Sequence, residues 1–217
     1  MPSAFLDAFA PEDRRRLLSQ ARRRRFRRGE VVFHEGDPGD TLHLIDRGHV
    51  AVRRTTPMGD VGMLLVLGPG DVFGELAAVA PAARNATVSA IDAVETLAIG
   101  QSVLVAWRER SRDIDRMLIS MLADEVRRLS AALMDALYLP VKDRMDGRLR
   151  ELASAFPENE DGSVVIPLTQ EELAQMVGTT RPTVNRLLKS AEQRGLLAIE
   201  RGGVRMFAVA DGDGRRR

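Results

Sequence analysis

Two short segments carry the residue types that an anion site needs: Val72-Phe73-Gly74-Glu75-Leu76 and Arg84-Asn85-Ala86. A glycine lets the backbone approach a ligand closely. A short helix opening near Glu75 would turn free N–H groups toward a phosphate. Arg84 offers a planar, permanently charged donor fork. Glu75 can accept from a hydroxyl such as a ribose 2′-OH, and Asn85 can still donate. The competing reading is that Glu75 and Arg84 pair only with each other across a β-structure, and the residues alone leave it open.

A second constellation lies at 168–188, LTQEELAQMVGTTRPTVNRLL. Thr169 followed three residues later by Glu172 is a capping box. Gly178 suits the left-handed end of that helix. Thr180 reads as the next cap, with Pro182 in the first turn, where a missing N–H costs little. Val184, Leu187 and Leu188 would bury one face of the second helix. Arg181, Thr183, Asn185, Arg186 and Lys189 would lie on its open faces. Two helices joined by a tight glycine turn, the second one basic, form a helix-turn-helix pattern. From Arg181 to Arg205, six cations face two acids, on a chain whose formal net charge is only +1. Such a patch is an electrostatic footprint for phosphate. Two apolar runs around Glu200-Arg201-Gly202-Gly203 read as a two-stranded wing that brings up Arg201. A purely structural helical hairpin is the bland alternative.

Other chemistries find little support. The chain has no cysteine, which removes disulfides, thiolate zinc sites and cysteine-held iron–sulfur clusters. A metal-dependent cupin, also a β-roll, needs a close His-x-His. The histidines here are His34, His43 and His49, spaced by nine and six, and read as surface or core residues. No metal site and no enzyme activity are expected. Haem ligation by one of these histidines stays open, with nothing to favour it.

The elements that must position these groups follow from pattern. Residues 3–24 read as short helices, and the basic run from Arg22 to Arg28 as a solvated helix end entering a first strand. From Gly29 to Ile99, short apolar runs alternate with turns such as Gly36-Asp37-Pro38-Gly39-Asp40 and Gly68-Pro69-Gly70-Asp71. That spacing means an antiparallel sandwich or barrel. Glycine then disappears between Gly100 and Gly147. Ile114, Leu118, Met121, Leu122, Leu129, Leu133 and Leu137 recur at helical steps. One amphipathic helix of ~25 residues would be ~37 Å long, more than a small domain needs. It is expected to pair with a second copy through Leu118 and Leu122, or else to pack only on the β domain. Leu139-Pro140 breaks it. A further helix covers about 141–156, with Met145, Leu149, Leu152 and Phe156 on one face, before an acidic loop and the short strand Val164-Val165-Ile166. No apolar stretch approaches the ~20 residues of a membrane span, and the N-terminus lacks a signal-peptide pattern.

In this order the segments resemble the Crp/Fnr family of regulators. The resemblance rests on GEVVFHEGDPGDTLHLIDRGHVAV (29–52), LGPGDVFGELA (67–77), RNATVSA (84–90), YLPVKDRM (138–145) and the helix-turn-helix. It implies an α+β chain: a jelly-roll (double-stranded β-helix) sensor of the cyclic-nucleotide-binding type at 1–111, a dimerisation helix at 112–137, and a winged helix-turn-helix at 138–217. It implies a cytoplasmic homodimer that binds a palindromic site on double-stranded DNA and meets RNA polymerase, with no membrane. No cofactor is expected beyond an effector, of which a cyclic nucleotide or similar molecule is the type. Gly74, Glu75 and Arg84 match the family's nucleotide ligands, with Leu76 in the same cassette. Three departures stand out: Asn85 replaces a serine or threonine, Leu129 replaces the threonine of an adenine-reading Thr-Ser pair, and a helix arginine falls near Glu125. The serine of that pair falls on Ser130, which with Asn85 is expected among the effector-binding residues. An effector-independent regulator with a degenerate pocket is the alternative. A kinase or channel regulatory module would lack the segment 168–188. Of the DNA-binding set, Thr169, Thr180, Arg181, Thr183, Asn185, Arg186, Lys189 and Arg201, the arginines at 181 and 186 are expected to reach guanine. Pro182 stands where the family often has a cytosine-reading glutamate.

Overall fold

Short apolar runs cut by glycine turns dictate the strands, and strand Thr41–Arg47 shows how they are used. The computed structural model describes residues 3–7, 9–76, 82–109 and 112–207. The chain divides into two compact units, 1–134 and 135–217. The first unit opens with helices α1 (Ala4–Asp7) and α2 (Pro11–Gln20) and continues with eight strands. These are β1 (Arg22–Phe26), β2 (Val31–Phe33), β3 (Thr41–Arg47), β4 (Val50–Thr55), β5 (Val61–Leu67), β6 (Val72–Phe73), β7 (Thr87–Ala90) and β8 (Val94–Gly100). They form two four-stranded sheets, ordered β1-β8-β3-β6 and β2-β7-β4-β5, with antiparallel pairing throughout. This is the jelly-roll architecture expected of the sensor.

Leu42 and Leu44 of β3 pack in a core with Phe5, Leu6 and Leu17 of the N-terminal segment and with Leu104 and Trp107. Ile45 joins a second core with Phe26, Val50, Phe73 and Val88. Both faces of β3 are therefore covered, which is why the run Thr41-Leu42-His43-Leu44-Ile45 does not alternate cleanly with exposed polar residues. His43 is buried against Phe26, Phe33 and Phe73, stacking on Phe73 at 4.9 Å. It is a core histidine.

Residues 22–24 are strand, not the helix end expected. α2 stops at Gln20 and Ala21 is extended. β1 pairs with β8, from Arg22 opposite Ala98 to Phe26 opposite Val94. Cross-strand charges line up with this state: Arg23 bonds Asp46 at 2.7 Å and Glu95 at 2.6 Å, and Arg25 reaches Glu95 at 3.0 Å. A basic edge strand also discourages sheet-to-sheet aggregation.

Helix α3 (Gln101–Arg108) leads to α4 (Arg112–Tyr138), the long helix. Its early turns bury Ile114, Met117 and Leu118 in the core beneath β3 and β8. Leu118, expected to face a partner, is only 3% exposed and belongs to its own domain. The uncovered stripe is instead Ile119, Val126, Leu129 and Leu133, exposed by 65%, 62%, 46% and 59%. Of the two residues expected to face a partner, Leu118 is claimed by the sheet of its own domain, while Leu122 is half-buried and borders the uncovered stripe.

The second unit contains α5 (Val141–Ala155), β9 (Val164–Ile166), α6 (Gln170–Val177), α7 (Arg181–Gln193), β10 (Leu197–Glu200) and β11 (Gly203–Met206). Met145, Leu149, Leu152, Ile166, Leu173, Val184 and Leu188 are buried. The wing is not two-stranded: β9 adds to it, giving the order β10-β11-β9 with Val204 opposite Ile166. The approach is tight enough that a Cβ on Gly203 would lie 2.7 Å from the Ile166 carbonyl oxygen.

Burial, with Arg84 and Arg24 nearby and Asp40 opposing, pushes the His43 pKa from the ordinary 6.5 down to about 4. Between those values the unfolded chain takes up a proton that the folded one refuses. Stability is therefore complete above the window and falls as pH drops through it, by at most about 3 kcal/mol. Urea titrations across this range should give a flatter pH dependence for His43→Gln than for the wild type.

Candidate effector pocket and nucleic-acid interface

In the first unit, Gly74, Glu75, Leu76, Arg84 and Asn85 line one cavity. Its walls include Phe33, Val52, Leu65, Val72 and Phe73, and α4 contributes Met121 and Glu125. Leu76 is helical. The rest of the short helix expected from Glu75 falls on residues 77–81, outside the described residues. Ser130 is exposed and is not among the lining residues of one chain. It sits five residues past Glu125, about 140° further round a helix.

Arg84 is buried, and it does not simply pair with Glu75. Among the described residues, its Nη2 donates to the Thr41 carbonyl at 2.7 Å and to Thr41 Oγ1 at 2.8 Å, and its Nη1 donates to the Gly74 carbonyl at 3.3 Å. The guanidinium carbon stands 4.0 Å from the centre of the Phe33 ring, a cation–π contact. Asp40 lies 3.9 Å away and is exposed. Arg84 Nε is shut off from solvent with no hydrogen-bond partner among the described residues. Such a donor is rare in a folded interior and calls for an explanation. Burial lowers the Arg84 pKa, opposed by Asp40, Glu75 and Asp37. An arginine still stays charged.

Burial also holds the Glu75 carboxyl above the usual range, and the charge of Glu125 adds to it; a backbone hydrogen bond and Arg84 oppose. The cavity lining thus combines a buried cation, Arg84, with two carboxyl groups, Glu75 and Glu125, and with aromatic and aliphatic side chains. Thr41 and Phe33 had no sequence signal of their own. Both become visible only when strands distant in sequence meet.

The nucleic-acid candidates occupy the second unit. The capping box forms as expected: Glu172 N donates to Thr169 Oγ1 at 3.2 Å, and Thr169 N donates to Glu172 Oε2 at 2.9 Å. Gly178 adopts φ 71°, the left-handed region it was expected to supply. Thr180 sits at the N-cap of α7 but makes no side-chain cap bond. Its hydroxyl pairs with Thr183 Oγ1 at 3.1 Å instead. Val184, Leu188 and Ala191 are buried, while Arg181, Arg186 and Lys189 are exposed. Among the described residues no ion pair engages these three cations. Asn185 is half-buried, and its amide donates to Gln170 Oε1 at 3.0 Å, tying α7 to the start of α6. Arg201 is exposed beside Gly202, whose φ is 81°. Arg205 is occupied by Glu200 at 2.6 Å and by Ser163 Oγ at 3.1 Å. Arg144, unnoticed in the sequence, donates to the carbonyls of Leu139 and Val177 at 3.0 and 3.2 Å and so fixes α5 against the end of α6.

Residues 23–111 match the family model of the cyclic nucleotide-binding domain, and residues 128–213 match that of the Crp-like helix-turn-helix domain. The chain is 36% identical over 177 residues to the CRP-like cAMP-activated global transcriptional regulator of Mycobacterium tuberculosis, covering 81% of this chain and 79% of that protein. The chain belongs to the Crp/Fnr family. It is 28% identical over 208 residues to the cyclic AMP receptor protein of Thermus thermophilus, covering 96% of this chain and 94% of the other. Among solved structures, the c-di-GMP responsive global regulator CLP of Xanthomonas campestris shares the fold, with a TM-score of 0.76 at 22% identity, covering 89% of this chain and 97% of that one. The chain is therefore a DNA-binding transcription regulator with a cyclic-nucleotide-binding domain, and the relatives it matches are regulators. No described helix is long and apolar enough to cross a membrane.

Gly74 has φ +77°, and a Cβ there would meet Arg84 Nη1 at 2.5 Å and the Thr41 carbonyl oxygen at 2.9 Å. The arginine end could swing away; the β3 backbone could not. Gly74→Ala should therefore cost roughly 1–3 kcal/mol of stability, read by urea unfolding, and should weaken any ligand that needs Arg84 in place.

Proposed function

We propose that this regulator responds to a small, nucleotide-like anion held by Gly74, Glu75, Leu76, Arg84 and Asn85. The observation that carries this is Arg84, a buried cation whose Nε has no partner among the described residues. The relatives named as cAMP-activated support a cyclic nucleotide. Two features count against adenine. Glu125 adds a second acid to the wall that holds Glu75, and Leu129 stands where a polar base-reader is expected. Cyclic AMP should bind weakly or fail to activate. A thermal-shift screen followed by calorimetry tests this: a true effector at ~100 times its Kd should add ~2.7 kcal/mol of stability. Loss of that gain in Arg84→Ala is expected, and unchanged binding would remove Arg84 from the site. The paired acids also favour a second reading, an effector-independent regulator with a degenerate pocket. In that case DNA binding would not change with any ligand in the screen.

The protein acts as a homodimer through α4. Ile119, Leu122, Val126, Leu129 and Leu133 follow alternating steps of three and four, the seam of a coiled coil. Ile119 and Val126 at one heptad position, with Leu122 and Leu129 at the other, favour two parallel strands, and Leu133 continues the seam. Because Leu118 belongs to the domain's own core, the informative variants are Ile119→Glu and Val126→Glu. They should sediment as folded monomers and lose operator affinity. A wild-type monomer at micromolar concentration would contradict this.

Helix α7 reads the major groove of a two-fold symmetric site whose half-sites lie about one turn, ~34 Å, apart. Arg181 and Arg186 reach guanine O6 and N7. Thr183, Lys189 and Arg201 contact the backbone, while Thr169, Thr180 and Asn185 position the helices. Binding-site selection should show Arg186→Ala losing ~1–3 kcal/mol on the preferred site and relaxing selectivity at one base. Lys189→Ala should weaken all sequences alike and lower the salt slope by about one. We take the protein to be a cytoplasmic partner of RNA polymerase and not an enzyme.

A further inference from the structure

We infer that Thr41, braced by His43, is a positioning residue that sets the orientation of the Arg84 guanidinium toward the effector's anionic group. This rests on the reading of Arg84 as the anion contact. A guanidinium has donors and no acceptor, so the 2.8 Å contact between Arg84 Nη2 and Thr41 Oγ1 makes the hydroxyl an acceptor. Its own proton is then left for His43 Nε2 at 3.3 Å or Asp40 Oδ1 at 3.2 Å.

His43 cannot drift from that hydroxyl. Its Nδ1 meets Thr96 Oγ1 at 3.0 Å, and its ring lies 9° from parallel on Phe73. The pair Thr41–His43 thus runs from the arginine to the middle of the sheet, where Thr96 is fully buried. On the other side, the Phe33 ring and the Gly74 carbonyl close the cradle. The Thr41 backbone carbonyl holds the same Nη2 but would do so for any residue at this position. The hydroxyl adds a third acceptor to the two carbonyls that hold the guanidinium, and it is the one of the three that a side-chain substitution can remove.

The test uses the full chain with Thr41→Val, which removes the hydroxyl at nearly constant shape, and Thr41→Ser, which restores it. Calorimetry with cyclic AMP and cyclic GMP as probes should show about tenfold weaker binding in the valine variant, the loss expected when one charge-assisted hydrogen bond goes, with recovery in the serine variant. A side-chain ¹⁵N spectrum without ligand should show the Arg84 Nε–H resonance shifted and broadened in Thr41→Val and restored in Thr41→Ser. A simple packing defect would lower the melting temperature without rescue by serine. If neither nucleotide binds the wild type, both are excluded as effectors, and the ligand-free spectrum alone decides the role of Thr41. An Arg84 resonance unchanged in Thr41→Val, or unchanged nucleotide affinity, overturns the inference.

Discussion

Arg84 carries a full charge into an interior where an unpaired ion would cost several kcal/mol, and the β-roll is arranged around that cost. Thr41 supplies two acceptors on β3. Gly74 supplies a carbonyl and, by lacking a Cβ, the room for the guanidinium to reach it. Phe33 offers a ring face. These residues come from three separate stretches of chain, so the cradle exists only when both sheets have closed. A buried cation that remains incompletely satisfied is a poor device for stability. Buried polar groups left incompletely satisfied are found at binding sites more readily than in purely structural cores.

The same closure decides what α4 can do. Its first turns are committed, because Leu42, Leu44 and Ile99 need a cover and Ile114, Met117 and Leu118 provide it. Next, Met121 and Glu125 face the cavity, and the stripe through Ile119, Val126 and Leu133 stays uncovered. One helix therefore presents three surfaces: to its own sheet, to the pocket and to the outside. The cavity lining and the uncovered apolar stripe therefore share one helix.

In the second unit, polar side chains divide between building and reaching. Thr169, Glu172, Asn185, Arg144 and Arg205 spend their hydrogen bonds on the fold. Arg181, Arg186 and Lys189 stand exposed on α7. The division gives a rigid platform with long, free cations at its surface, the arrangement that phosphate and base-edge recognition require.

The sequence alone determined the features whose physics is local. The capping box at Thr169 and Glu172, the left-handed Gly178, the glycine turns of the roll and the uninterrupted helical period after residue 112 each depend on neighbours a few residues away. The Crp-like order of segments was equally legible, and with it the bringing together of Gly74, Glu75 and Arg84 in one cavity. What only the tertiary structure decided involves partners far apart in the chain. Four arginines in a row look like a solvated helix end until Glu95 and Asp46 lie across from them. Leu118 and Ile119 are equally apolar, and only the sheet beneath α4 selects which one is buried. Thr41 is an ordinary strand residue until it meets Arg84, 43 positions away. Short-range conformational preference acts along the backbone and can be read from it. Burial and charge pairing act through space, and the chain must fold before they choose between residues of the same type.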